Sequence, residues 1–417
     1  MHWFLCTVVI LILAKAVAEL TLDGLNRKNV RQHADRVPET FRDWMDADTY
    51  TKSVSYTLAK SRFGSAENLF DTAWLVVILT SGLLPLLYEQ FTQLMGTSVW
   101  AQAGTLILIG FILGLPSLPW EWASQFKLEA RFGFNQSTLK LWISDKIKGL
   151  LLGLLIGVPL LSAIVFIVRE YPETWWIGAA VLLFFFQVAM MVLYPLLILP
   201  LFNKLSPLQE GSLKARLMAL AERAGFRANT IQVIDGSKRS SHSNAYFTGF
   251  GKFRRIVLYD TLMQQLSEEE LESVLAHEIG HYKLGHIPKM IAIAAVSLFG
   301  SFWIIDTLME QEWFYAAFGF PPNSGITVAL LLFSLCSGAF TFWFSPLMHV
   351  LSRRHEYQAD AFAIRHIDKP QAMTQSLRKL HEENLSNLTP HPLFSAIYFS
   401  HPTLIEREQA IQQQVQT

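Results

Sequence analysis

The chain has 417 residues, of which 51% are hydrophobic and 16% charged, with 34 Lys and Arg balancing 34 Asp and Glu. Typical globular domains carry about 25% charge, so this one, with a mean hydropathy of +0.29, is not a simple soluble protein. A net charge of zero excludes bulk attraction to nucleic acid. Two cysteines, Cys6 and Cys336, both in apolar runs, exclude a disulfide framework and a cysteine-rich metal site. Any metal falls to histidine and carboxylate.

Seven runs approach the roughly 20 apolar residues that a helix needs to cross a bilayer. They are 2–18, 72–88, 105–120, 150–168, 175–202, 287–305 and 326–351. In the first, Ala16-Val17-Ala18 resembles a signal-peptide cleavage site. No basic residue precedes the apolar stretch, however, and Lys15 sits near its end, so it reads as a retained helix. The third run is the weakest, being short and broken by Gly114, Pro116 and Pro119.

The connections alternate in charge. Residues 20–71 carry eight Lys and Arg, and the third-to-fourth connection carries Lys127, Arg131, Lys140, Lys146 and Lys148. Residues 89–104 and 306–325 carry none, and Arg169 is alone between the fourth and fifth runs. Positive residues mark cytoplasmic loops. Seven spans with an outside N-terminus and a cytoplasmic C-terminus follow, and dropping the third span would put the basic segments on opposite sides.

After the fifth run the chain turns soluble. Residues 210–224 form an amphipathic helix stopped by Gly225. Residues 231–235, 243–250 and 254–259 read as strands of a small antiparallel sheet, the last two joined around Gly251. The spacing then predicts a helix over 267–286. Ser267 and Glu270 make a capping box, and Glu268, Glu269 and Glu270 suit the positive end of the helix dipole. Within it lies His277-Glu278-Ile279-Gly280-His281. Histidines at i and i+4 share a face and reach one Zn²⁺, while the glutamate between them can take a proton from water. His286, five residues on, turns off that face and reads as a supporting or structural residue.

A second helix follows the seventh run, through His355-Glu356-Tyr357-Gln358-Ala359-Asp360. Glu356 can supply a third ligand and leave a fourth position for water, with His355 as a competing candidate. Asp360, on the same face as Glu356, can orient a ligand.

The pairing of HEIGH with a later EYQADAFA across two apolar runs resembles the CAAX prenyl endopeptidases, integral-membrane zinc metalloproteases of the gluzincin type. Other blocks agree in order: TKSVSYTLAKSRF from Thr51, RFGFN from Arg131, HSNAYFTG from His242, and the tail from Ser400-His401-Pro402 to Arg407. The resemblance implies that His277, His281 and Glu356 bind one zinc per chain, which resolves Glu356 over His355, and that Glu278 is the general base. It implies that Asn244, Ala245 and Tyr246 pair with substrate as an edge strand. It further implies that His401 stabilises the oxyanion and that Arg407 pairs with Asp360. A barrel of seven spans around a wet chamber is also implied; polar residues within the runs (Gln187, Ser334, Ser337) suit it.

The expected fold is therefore mainly α: a polytopic membrane body of about seven helices with a cytoplasmic α+β metalloprotease domain. Its divisions are 1–202 (five spans), 203–286 (sheet and metal helix), 287–351 (spans six and seven) and 352–417 (third ligand and tail). The expected partners are the bilayer and a peptide or protein substrate, prenylated or not, but no nucleic acid. The lack of long insertions and of a retention signal points to a bacterial member acting on membrane-associated or misfolded peptides; a eukaryotic one would sit in an endoplasmic-reticulum-type membrane. Two rivals stand beside this reading. A stress-response membrane zinc protease would usually have fewer spans. A channel or transporter with a structural zinc would normally close its site with four protein ligands.

Overall fold

The computed structural model describes residues 2–226, 230–248 and 255–416. The strand prediction at 249–250, the residue Arg254 and the turn at Gly251 lie outside them. The chain opens with α1 (Trp3–Gln32), α2 (Ala47–Thr80), α3 (Leu83–Met95), α4 (Val99–Gly114), α5 (Leu139–Glu170) and α6 (Trp175–Leu193). The soluble part begins with β1 (Leu205–Pro207), α7 (Ser212–Arg223), β2 (Thr230–Ile234), β3 (Ala245–Thr248) and β4 (Arg255–Tyr259). Then come α8 (Glu268–Lys283), α9 (His286–Met309), α10 (Ile326–Thr341), α11 (Ser345–His366), α12 (Gln371–Glu383) and α13 (Leu404–Gln416).

Among the described residues, six helical runs are long and apolar enough to cross a membrane, and α2 with α3 makes a seventh bent by 64°. All seven predicted spans are thereby located. The second is not one rod: Gly82, at φ +77°, turns the chain between α2 and α3, a conformation that costs glycine little. The third carries on through Gly114 and its two prolines as a helical run, Val99–Phe132. Proline is tolerated there because each opens a new helical segment, where its missing N–H has no partner to lose.

Large apolar side chains are exposed on these helices, among them Leu155 at 71% and Phe185 at 65%. That is the expected state of a surface solvated by lipid. Inside, Leu5, Ile109, Trp175 and Phe302 belong to one apolar core. A second core holds Val30, Phe41 and Tyr50 together with Leu217, Leu258, Leu275 and Ile411. The membrane helices thus reach into the soluble core. The 30-residue α1 is about 45 Å long at 1.5 Å per residue, more than a ~30 Å hydrocarbon layer takes up. Its Asn26 side chain accepts from the His391 amide at 3.1 Å, tying it to the C-terminal region.

The sheet differs from the prediction. It has four strands in the order β1-β2-β4-β3 and is mixed. The β2–β4 pair is parallel, with Ile231 opposite Ile256, whereas β1 and β3 run antiparallel to their neighbours. A run of strands with short connections reads as a meander. Here β4 instead fits between β2 and β3, because Ile256 and Leu258 join the same apolar core as Ile231. β3 is left as an edge strand beside α8.

Candidate metal centre

The predicted capping box is present at the start of α8: the Ser267 hydroxyl accepts from the Glu270 amide, and Glu270 accepts from the Ser267 amide at 2.7 Å. The helix stops sooner than expected. Gly285, at φ +68°, breaks it, and His286 opens α9. Gly280 faces α11 so closely that a Cβ there would lie 3.1 Å from Ala359 Cα and 3.1 Å from Phe362 Cβ. A glycine at this crossing lets α11 bring Glu356 and Asp360 against the α8 histidines.

His277, His281 and Glu356 then offer one ligand atom each within a single small cluster. The two Nε2 atoms are 3.1 Å apart. Glu356 Oε2 is 3.3 Å from His277 Nε2, and Glu356 Oε1 is 3.3 Å from His281 Nε2. Metal–nitrogen bonds of 2.0–2.1 Å in a tetrahedron put neighbouring ligand atoms about 3.3 Å apart. His277 Nδ1–H donates to Asp360 at 2.8 Å, so a neutral ring turns a lone pair at Nε2 towards the cluster. Among the described residues, the buried Glu356 Oε2 has no hydrogen-bond partner. Lone pairs and a carboxylate converge on one another, an arrangement that a divalent cation would resolve. His355, the rival ligand, instead stacks on His286 with centroids 4.0 Å apart.

The other predicted residues divide by distance. Arg407 grips Asp360 with two hydrogen bonds, Nε to Oδ2 at 2.8 Å and Nη2 to Oδ1 at 2.6 Å. His401 is brought in from the tail, its Nε2 3.4 Å from Glu356 Oε1. Glu278 and His281 line a cavity of about 600 Å³ whose other walls include Phe184, Gln187, Met191, Met290 and Ile291. Asn244 is exposed at the start of β3, and its carbonyl accepts from the Tyr259 amide at 3.1 Å. Ala245 and Tyr246 pair with Leu258 and Val257 on β4 and leave the other edge of β3 open among the described residues.

Electrostatics follow from this packing. Burial pushes the Glu278 carboxyl up, against the pull of the neighbouring imidazoles. Burial would lower His277, yet its bond to Asp360 and the nearby Glu356 carboxylate hold it above the ordinary histidine value. Burial likewise disfavours the Arg407 cation, but Asp360 holds it charged.

Sequence reasoning missed one cluster. His242 stacks on Phe134 at 4.0 Å, with Nδ1 2.7 Å from Asn384 Oδ1 and Nε2 3.4 Å from Glu129 Oε2. It joins the RFGFN block to the HSNAYFTG block, a contact between distant segments for which no local spacing exists.

A body of membrane-crossing helices carrying an H-E-x-x-H helix, crossed by a carboxylate-bearing helix beside a partly open cavity, defines a membrane metallopeptidase. Residues 26–204 match the model of the CAAX prenyl protease N-terminal region with five membrane helices, and 207–415 match peptidase family M48. The chain belongs to the CAAX prenyl proteases of that family. It is 36% identical to CAAX prenyl protease 1 of Saccharomyces cerevisiae, over 90% of this chain and 88% of that protein. To the human CAAX prenyl protease 1 homolog it is 32% identical, over 92% and 90%. The crystal structure of S. mikatae Ste24p superposes with a TM-score of 0.92 at 34% identity, covering 99% of both chains. The expected bacterial origin finds no support here, since these relatives are eukaryotic. The chain is an integral multi-pass membrane metalloendopeptidase.

Proposed function

We propose that the metal is one zinc per chain, held by His277, His281 and Glu356, and that the substrate is a membrane-associated peptide of the prenylated CAAX type. The convergence of two imidazoles and a buried, unpartnered carboxylate oxygen beside Glu278 carries this reading. Bound zinc would supply a Lewis acid that makes water nucleophilic near neutral pH.

The chain's own groups do the rest. Glu278 takes a proton from the attacking water as its oxygen bonds to the scissile carbonyl carbon. His401 donates to the oxygen on which negative charge develops. As the C–N bond breaks, Glu278 returns the proton to the leaving amine. The open edge at Asn244, Ala245 and Tyr246 pairs with the substrate backbone. Asp360, held by Arg407, keeps His277 in the tautomer that presents Nε2. The apolar walls of the cavity beside Glu278 suit a lipid-modified side chain. The N-terminus lies outside, and the C-terminus and active site lie on the cytoplasmic side. The two 1–202 and 287–351 segments form the membrane body, and 203–286 with 352–417 the protease domain.

The test measures zinc content and cleavage of a farnesylated CAAX peptide on detergent-purified protein. Glu278→Gln should keep the zinc and lose activity by about 10²–10⁴-fold. Equal cleavage of the unprenylated peptide would favour the reading in which other membrane-associated or misfolded peptides are the substrates. Full activity in Glu278→Gln would reject the mechanism.

A further inference from the structure

The two histidines of the metal helix are backed differently. Behind His277 stands the anionic, arginine-held Asp360. Behind His281 stands another histidine: His281 Nδ1 is 3.0 Å from His286 Nδ1. His286 Nε2 is in turn 2.9 Å from Gln358 Oε1. His286 is 3% exposed, and its ring lies flat on His355 at 4.0 Å and 11°.

These contacts admit one chain of protons. For His281 to offer a lone pair at Nε2, its proton must sit on Nδ1. That proton points at His286 Nδ1, which must therefore accept. His286 then carries its own proton on Nε2 and donates it to Gln358. Gly285 makes this possible, since its positive φ ends α8 and folds His286 back onto His281.

We propose that His286 is the positioning residue of the second metal ligand, with Gln358 fixing its tautomer and His355 fixing its plane. This inference rests on the ligand set proposed above. His286 sets the orientation and tautomer of His281, and hence the affinity of the site for zinc. Removal of such an outer partner costs 10- to 100-fold in metal affinity or activity.

The experiment titrates zinc into metal-free, detergent-purified protein against a chelating dye, with the melting transition of each metal-free form recorded alongside. His286→Phe keeps the ring stack and removes the acceptor; it should weaken zinc binding by about 10- to 100-fold. His286→Asn restores an acceptor near the place of Nδ1 and should recover most of that loss. At the far end, Gln358→Leu should weaken binding and Gln358→Glu, which still accepts, should not. The Gln358 pair keeps the question open to test even if His286→Phe loses its melting transition. Wild-type affinity in both His286→Phe and Gln358→Leu would overturn the proposal, as would equal losses in His286→Phe and His286→Asn or in Gln358→Leu and Gln358→Glu. A wild type that binds no zinc would instead remove the ligand assignment itself.

Discussion

At Gly280 the lack of a side chain decides how closely two helices approach. A methyl group would press on Ala359 Cα and Phe362 Cβ, both 3.1 Å from its position. Overpacking of this kind costs about 1–3 kcal/mol. Gly280→Ala should therefore lower the melting temperature and weaken zinc binding together, because the same shift moves Glu356 away from His277 and His281. Calorimetry with and without zinc checks both. Arg407 poses the opposite problem. Its guanidinium neutralises the 1%-exposed Asp360, and breaking a buried pair from one side costs about 3–5 kcal/mol. Arg407→Leu should be strongly destabilising. A double change to Arg407→Leu with Asp360→Asn should recover part of the loss, measurable as a thermal shift in detergent.

Among elements, α8 is the one whose start was written in the sequence, and its stability should report that. Burial by itself would raise the Glu270 carboxyl, but the Lys379 ammonium at 2.8 Å and the Ser267 amide hold it below the ordinary carboxylate value. A lowered folded value stabilises the protein above the unfolded pKa of about 4.3, and that contribution is lost as pH falls through the folded value. Melting temperatures of wild type and Glu270→Gln should accordingly differ most near neutral pH and converge under acid conditions. Ser267→Ala should cost about 1 kcal/mol at the same helix end. A pH-independent difference between wild type and Glu270→Gln would contradict the electrostatic account.

For the molecule as a whole, topology and metal are the quantities to test. The three Asn-x-Ser/Thr sequons, at Asn135, Asn384 and Asn387, fall on the proposed cytoplasmic side, but their amides are already engaged in hydrogen bonds. Lack of a glycan there would thus report packing as well as side. Single cysteines at the exposed Pro322 and Gln412 separate the two, in a background where Cys6 and Cys336 are replaced. In sealed membrane vesicles with the cytoplasmic face outward, a membrane-impermeant thiol reagent should label Gln412→Cys directly and Pro322→Cys only after the vesicles are opened with detergent. The reverse pattern would invert the orientation. Removing zinc with a chelator should lower the melting temperature and restoring it should reverse the change, since binding to the folded state alone stabilises by mass action.

Local spacing alone determined the spans and the metal helix. An apolar run of membrane length, a capping box and two histidines one turn apart are all relations within a few residues, where helical geometry leaves little freedom. The alternation of basic and bare connections belongs to the same local grammar. Tertiary structure decided what lies between segments. It bent the second span at Gly82, put β4 between β2 and β3 and so made the sheet mixed, and used Gly280 to bring α11 across α8. It also folded His286 back onto His281 through Gly285, and closed His242 between Phe134, Asn384 and Glu129. By spacing alone Glu356 and His355, neighbours in sequence, have equal claims to a metal, and the motif resemblance sets Glu356 ahead. The crossing of two helices, fixed by packing between segments that two bilayer spans separate, turned the carboxylate towards the histidines and stacked the imidazole on His286 instead.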